Sequence, residues 1–171
     1  MIDKSKLLSI LAAAFLTVSP AMALGGLPDG VDNSQSKYFP PVINQQGGSC
    51  AQASYIGYMF TYEMNRLLDR DASASPANRF SYFYTWNFVN DGFDQGSFGP
   101  DGIKLALGNG IVTEEDFPGN AAYRFKWASG YEKYLNAIHY RASAVELIEV
   151  KDMAGVDKVR RYLYDHNEEG R

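Results

Sequence analysis

Apolar residues recur at three- and four-residue steps after residue 49. Ala53, Ile56, Phe60, Met64 and Leu67 make one stripe, which predicts a helix running to about Leu68. Ser49 stands before it as a candidate N-cap, so Cys50 falls in the first turn. Residues 24–48 have neither helical nor strand periodicity and are rich in Gly, Pro, Asn and Asp, which reads as an extended lead-in. After a polar connection at 69–78, a dense aromatic run beginning at Phe80 suits a short helix buried in the core, and a loop over 91–100 follows it. The pattern then predicts a helix over 102–107, a stop at Gly108, Asn109 and Gly110, an acidic turn ended by Pro118, and an amphipathic piece over 121–136. At 141–150 the period changes to two, with Ala142, Ala144, Glu146, Ile148 and Val150 on one face, which predicts a strand. Val156, Val159, Leu163 and Tyr164 return to helical spacing.

Composition supports a folded domain: 171 residues, 46% hydrophobic and 14% aromatic, are ample for a packed core. The net charge of -4, with no basic run, gives no footprint for nucleic acid or anionic lipid. Lys4 and Lys6, an apolar run over 7–18 and the small-x-small site Ala21, Met22, Ala23 predict a secretory signal peptide over residues 1–23 and a secreted or periplasmic mature chain. That run is too short to span a bilayer, which takes about 20 residues, and no later segment is apolar enough. Three adjacent acidic residues, Glu114, Glu115 and Asp116, read as a solvated turn, not a metal site.

Cys50 is the sole cysteine, so an exported chain cannot form an internal disulfide. An unused thiol in an oxidising compartment is a liability unless it is buried. Its surroundings argue for use. A thiol reacts as the thiolate, a form that unpaired N–H groups at a helix start favour, and the same groups can stabilise an oxyanion. Gln45 and Gln46 each carry an amide that could add a second donor, and Gly47 and Gly48 allow a tight turn with room for a substrate carbonyl.

The segment "PPVINQQGGSCAQASYIGYMF" resembles the active-site segment of the papain-like (C1 family) cysteine peptidases. Gly48, Ser49 and Cys50 fit the signature C-G-[SA]-C-[WY], whereas Gly47 stands where the first cysteine would be and Ala51 replaces the aromatic. "GSFGPDGIKLALGNGIVTEEDFP" follows the order of the family's glycine-rich substrate loop, short helix, glycine turn and acidic segment. The resemblance implies Cys50 as nucleophile, Gln45 as oxyanion donor with Gln46 the alternative, and Gly48, Gly96, Ser97 and Phe98 as substrate-binding residues. It implies a peptide or protein substrate and no metal or organic cofactor.

It also implies an α+β fold: a mostly helical lobe over 24–140 carrying the nucleophile, and over 141–171 the beginning of a β-rich second lobe. The family's histidine and asparagine lie about 130 to 150 residues beyond the cysteine, near position 180 or later, whereas this chain carries histidines at 139 and 166. Neither has the surroundings of a general base. The expectation is therefore a fragment lacking its base, or a chain whose missing C-terminal lobe comes from a second polypeptide. The rival expectation is a secreted, catalytically silent peptide-binding or structural domain.

Overall fold

The computed structural model describes residues 27–166, so the predicted leader lies outside the described residues. The longest helix, α1, runs without a break through α-helical Cys50–Gln52, π-helical Ala53–Phe60 and α-helical Thr61–Leu68. A side chain reinforces the last of the wide central turns. Thr61 turns both its backbone N–H and its hydroxyl to the carbonyl of Ile56, five residues back, the hydroxyl at 3.2 Å. The same Thr61 oxygen accepts the N–H of Phe80 at 3.0 Å, tying α1 to the aromatic run.

The π turns also shift the buried face. A five-residue hydrogen-bond step carries more residues per turn than an α-helix, so the stripe drifts as it is followed along α1. Ala53, Ile56 and Phe60 are buried as predicted, but then Thr61, Tyr62 and Asn65 go inside, and Leu67 is 69% exposed.

Helix α2, Tyr82–Val89, is the centre of the core. Ser81 caps it by accepting the Tyr84 N–H at 3.2 Å. Every residue from Tyr82 to Asn87 is buried, as befits a helix covered on all sides. Tyr82 stacks on Phe83 at 4.7 Å between ring centroids, and Tyr84 meets Phe88, Phe117 and Tyr134. Each such ring contributes about 1.5–3 kcal/mol by leaving water, so the aromatic run serves packing, as its spacing predicted.

Helix α3, Gly99–Gly108, starts earlier than the pattern predicted because Pro100 is well placed in a first turn. Gly110, at φ +77°, ends it and returns its N–H to Leu105 O at 3.0 Å. Beyond α3 the chain pairs briefly with the entry to α2: Phe80 and Thr113 form an isolated antiparallel bridge, and Arg79 pairs with Glu114 at 2.7 Å. The acidic turn is thus partly neutralised by an ion pair and not simply solvated.

Two predicted elements are different in the fold. The amphipathic piece over 121–136 is a short 3₁₀ turn, Ala121–Tyr123, an irregular stretch, and then helix α4, Tyr131–Ala137. Buried Asn87 draws the carbonyls of Tyr123 and Lys126 to its amide at 2.8 and 2.7 Å and accepts the Phe125 N–H at 3.2 Å, taking backbone groups that a helix would need.

The predicted strand at 141–150 is not a strand, and the α+β assignment falls with it. Among the described residues the fold is helical, and the Phe80–Thr113 bridge is its β feature. Alternation specifies an extended chain, but a strand also needs a neighbour to complete its backbone bonds. Among the described residues, 141–150 have no strand beside them. Ala142 bonds to Ala106 O at 3.0 Å, after which the segment crosses the surface with Val145 and Leu147 exposed. It leads into helix α5, Met153–Asp165, capped by Asp152 on the Gly155 N–H at 2.9 Å. Helix α5 lies on the C-terminal half of α1, where Tyr162 donates to Glu63 at 2.8 Å and Tyr62 to the carbonyl of His166 at 2.6 Å. Among the described residues no helix is long and apolar enough to cross a membrane.

Candidate functional site

Cys50 is exposed at the start of α1. Ser49, directly before it, is at the N-cap position, but its side chain does not cap α1. The hydroxyl is fully buried and turns back to Gln45 Oε1 at 3.0 Å and to Gln46 O at 2.8 Å. Ser49 thus ties the side-chain amide of Gln45 to the turn before Cys50. Gln46 is held through its backbone instead.

The turn before Ser49 depends on its glycines. Gly47 is at φ +62°, where side chains are strained, and a Cβ there would also run into Asp94 and Arg124. A Cβ on Gly48 would run into the backbone of Gln95 and Gly96. The loop at 91–98 thus lies against the turn that precedes Cys50, backbone on backbone. Gly96, Ser97 and Phe98 are brought in this way to the residues flanking the cysteine, Gly48 and Gln52, although they are more than forty residues distant in sequence. Gly96 has open space on the side where a Cβ would be, and Phe98 is 69% exposed.

Four side chains that the sequence did not single out hold this loop. Asp94 accepts the Gly48 N–H at 2.8 Å and forms an ion pair with Arg124. The Gly48 N–H, followed by Arg124, holds the Asp94 carboxyl below the ordinary carboxylate range. Arg124 lies over the rings of Phe125 and Trp86, at 4.8 and 5.9 Å from their centroids. Trp86 donates its indole N–H to Gln95 O at 3.1 Å. Gln52, fully buried two residues after Cys50 in α1, donates to Ser97 Oγ and to Phe98 O, both at 3.1 Å. Only Gln52 left a trace in the sequence, as a polar residue one helical step before Ile56 on the buried face.

Neither histidine is brought to the cysteine. His166 stacks on Tyr162 at 4.0 Å between ring centroids, and its carbonyl accepts from Tyr62. Tyr62 is twelve residues along α1 from Cys50, about three helical turns away. His139 is in the 3₁₀ turn Ile138–Tyr140, where Tyr140 O accepts the Ile111 N–H. That is the far end of α3, whose near end packs Gly99 on Tyr55 and Gly102 on Gln52.

No family model and no curated protein sequence matches the chain. Among solved structures the chain is similar to xylellain, a cysteine protease from Xylella fastidiosa, with a TM-score of 0.49 and 22% identity. The match covers 70% of this chain and 48% of that one, so this chain spans about half the length of that protein.

Proposed function

We propose that this chain is the nucleophile-bearing part of an exported cysteine-type peptidase, with Cys50 as nucleophile and Gln45 as oxyanion donor. The carrying observation is the 3.0 Å contact between the Ser49 hydroxyl and the side-chain amide of Gln45, which ties that amide to the residue directly before an exposed cysteine at a helix start. In this reading the thiolate of Cys50 attacks a peptide carbonyl, and the Gln45 amide and the Cys50 backbone N–H receive the oxyanion. The amine then leaves with a proton, and water releases the acyl group from the thioester. The substrate backbone runs along Gly96 and Ser97, with a side chain against Phe98. The base that deprotonates the thiol and returns the proton to the amine comes from outside the described residues, since His139 and His166 are held elsewhere.

An activated peptide ester tests this without the base, because a para-nitrophenolate departs without needing a proton. An acetylated dipeptide para-nitrophenyl ester is expected to acylate Cys50 once per chain, seen by intact mass, and much faster than para-nitrophenyl acetate does. Cys50→Ser abolishes the adduct. Equal rates for the two esters would reduce Cys50 to an exposed thiol and sink the peptidase reading.

A further inference from the structure

The loop at 91–98 could not keep its place by apolar packing. Phe93 and Phe98 both face solvent, and among the described residues Gly96 has nothing within 4 Å of where a Cβ would stand. Its attachments are polar. Asn90 organises the near end, accepting the Gly92 N–H at 2.8 Å on its side chain and the Phe93 N–H at 3.0 Å on its carbonyl. Gln52 holds the far end at Ser97 and Phe98. Between them, Asp94 reaches the turn before Cys50, where Gly47 and Gly48 have no side chains that could keep the loop away.

We propose that Asp94 is a positioning residue: its carboxylate, paired with Arg124, clamps the loop onto the Gly48 N–H and so fixes the distance between Cys50 and the Gly96 and Ser97 backbone. The clamp itself is independent of the peptidase reading, but its consequence for peptides rests on that reading. Asp94 lies forty-four residues from Cys50 in sequence and acts on it only through Gly48. Arg124 is the counterpart that makes a fixed carboxylate tolerable beside the turn. Its guanidinium is itself held over Trp86 and Phe125 and is thus pre-placed, and Trp86 bonds the same loop at Gln95. One carboxylate therefore joins three segments: the turn before α1, the loop after α2, and the irregular stretch before α4.

Two measurements on the full chain test the clamp. The first is hydrogen exchange of the Gly48 amide, followed by NMR. Asp94→Ala is expected to accelerate it by about tenfold or more, because the N–H loses its acceptor. Asp94→Asn keeps an oxygen for that N–H but drops the charge facing Arg124, and is expected to fall between wild type and Asp94→Ala. The second is the ratio of acylation rates for an acetylated dipeptide para-nitrophenyl ester and para-nitrophenyl acetate. Asp94→Ala is expected to lower this ratio about tenfold or more, since a misplaced binding surface penalises the extended substrate and spares the small one. Arg124→Gln lowers it too, and adding Arg124→Gln to Asp94→Ala changes it little further. Unchanged Gly48 exchange in both Asp94 variants would overturn the clamp. Faster exchange with an unchanged ratio would overturn the positioning role and leave a merely structural bond. A wild type without any preference for the peptide ester would instead defeat the peptidase reading, while Gly48 exchange would still decide the clamp.

Discussion

The side-chain amide of Gln52, buried in α1, donates to Ser97 Oγ at 3.1 Å and so links the helix that bears the cysteine to the loop facing it. The amide oxygen of Gln52 is buried, has no hydrogen-bond partner among the described residues and abuts Gly102 of α3. Gln52→Ala leaves Phe98 O without its bond and is expected to cost about 1–3 kcal/mol in urea unfolding. Gly102→Ala, which drives a methyl group into the Gln52 oxygen, destabilises in the same direction. The double variant is less than additive, because the shortened side chain makes room for the methyl group. Full additivity would mean that the two residues do not touch.

Asn87 replaces the missing helix at 123–130 with three side-chain bonds to backbone. Asn87→Ala is expected to destabilise by about 1–3 kcal/mol, since two part-buried carbonyls and the Phe125 N–H lose their partner, and to speed proteolysis near Phe125, which is at φ +58°. A midpoint in urea equal to wild type would show that the stretch stands without Asn87.

Burial raises the phenols of Tyr82 and Tyr84 to about 12, from an ordinary value of 10.0. The folded state thus keeps protons that the unfolded chain gives up, so the stabilisation is complete below pH 10 and drains away as the pH rises towards about 12. Unfolding in urea at stepped alkaline pH, with tyrosinate absorbance as the second signal, is expected to show stability falling across that window. Tyr84→Phe makes the fall shallower. A flat profile between those limits would contradict the burial of these phenols.

If Ser49 holds Gln45 in its working orientation, Gln45→Ala is expected to slow acylation of Cys50 by the dipeptide ester about 10²-fold. Gln46→Ala, which removes a side chain that Ser49 does not hold, has little effect. Ser49→Ala falls between them, because the amide remains but loses its anchor. A greater loss in Gln46→Ala than in Gln45→Ala would exchange the roles of the two glutamines.

His139→Ala and His166→Ala are expected to leave acylation of Cys50 by the same ester unchanged, since His139 is at the far end of α3 and His166 is held against Tyr62 and Tyr162. A loss of acylation in either variant, with the fold intact by circular dichroism, would bring that histidine to the cysteine after all.

What the sequence determined by itself was local. Helical spacing located α1, the aromatic run foretold a buried α2, and Gly110 marked the end of α3, because periodicity and glycine conformational freedom act within a few residues. The polar turn ahead of Cys50 was equally legible, so the thiol at a helix start could be read directly. Tertiary structure decided whatever depended on a distant partner. Alternation at 141–150 could not make a strand without a neighbour to bond, and the stretch at 121–130 gave up helix to Asn87, a residue more than thirty positions away. Leu67 faces water because the π turns before it shift the buried face, and Thr61 at their end is bonded both to Ile56 and to Phe80. Asp94, Arg124 and Trp86 came to the cysteine for the same reason. A hydrogen bond or ion pair between segments depends on geometry that only the assembled fold supplies, and no spacing in the chain encodes it.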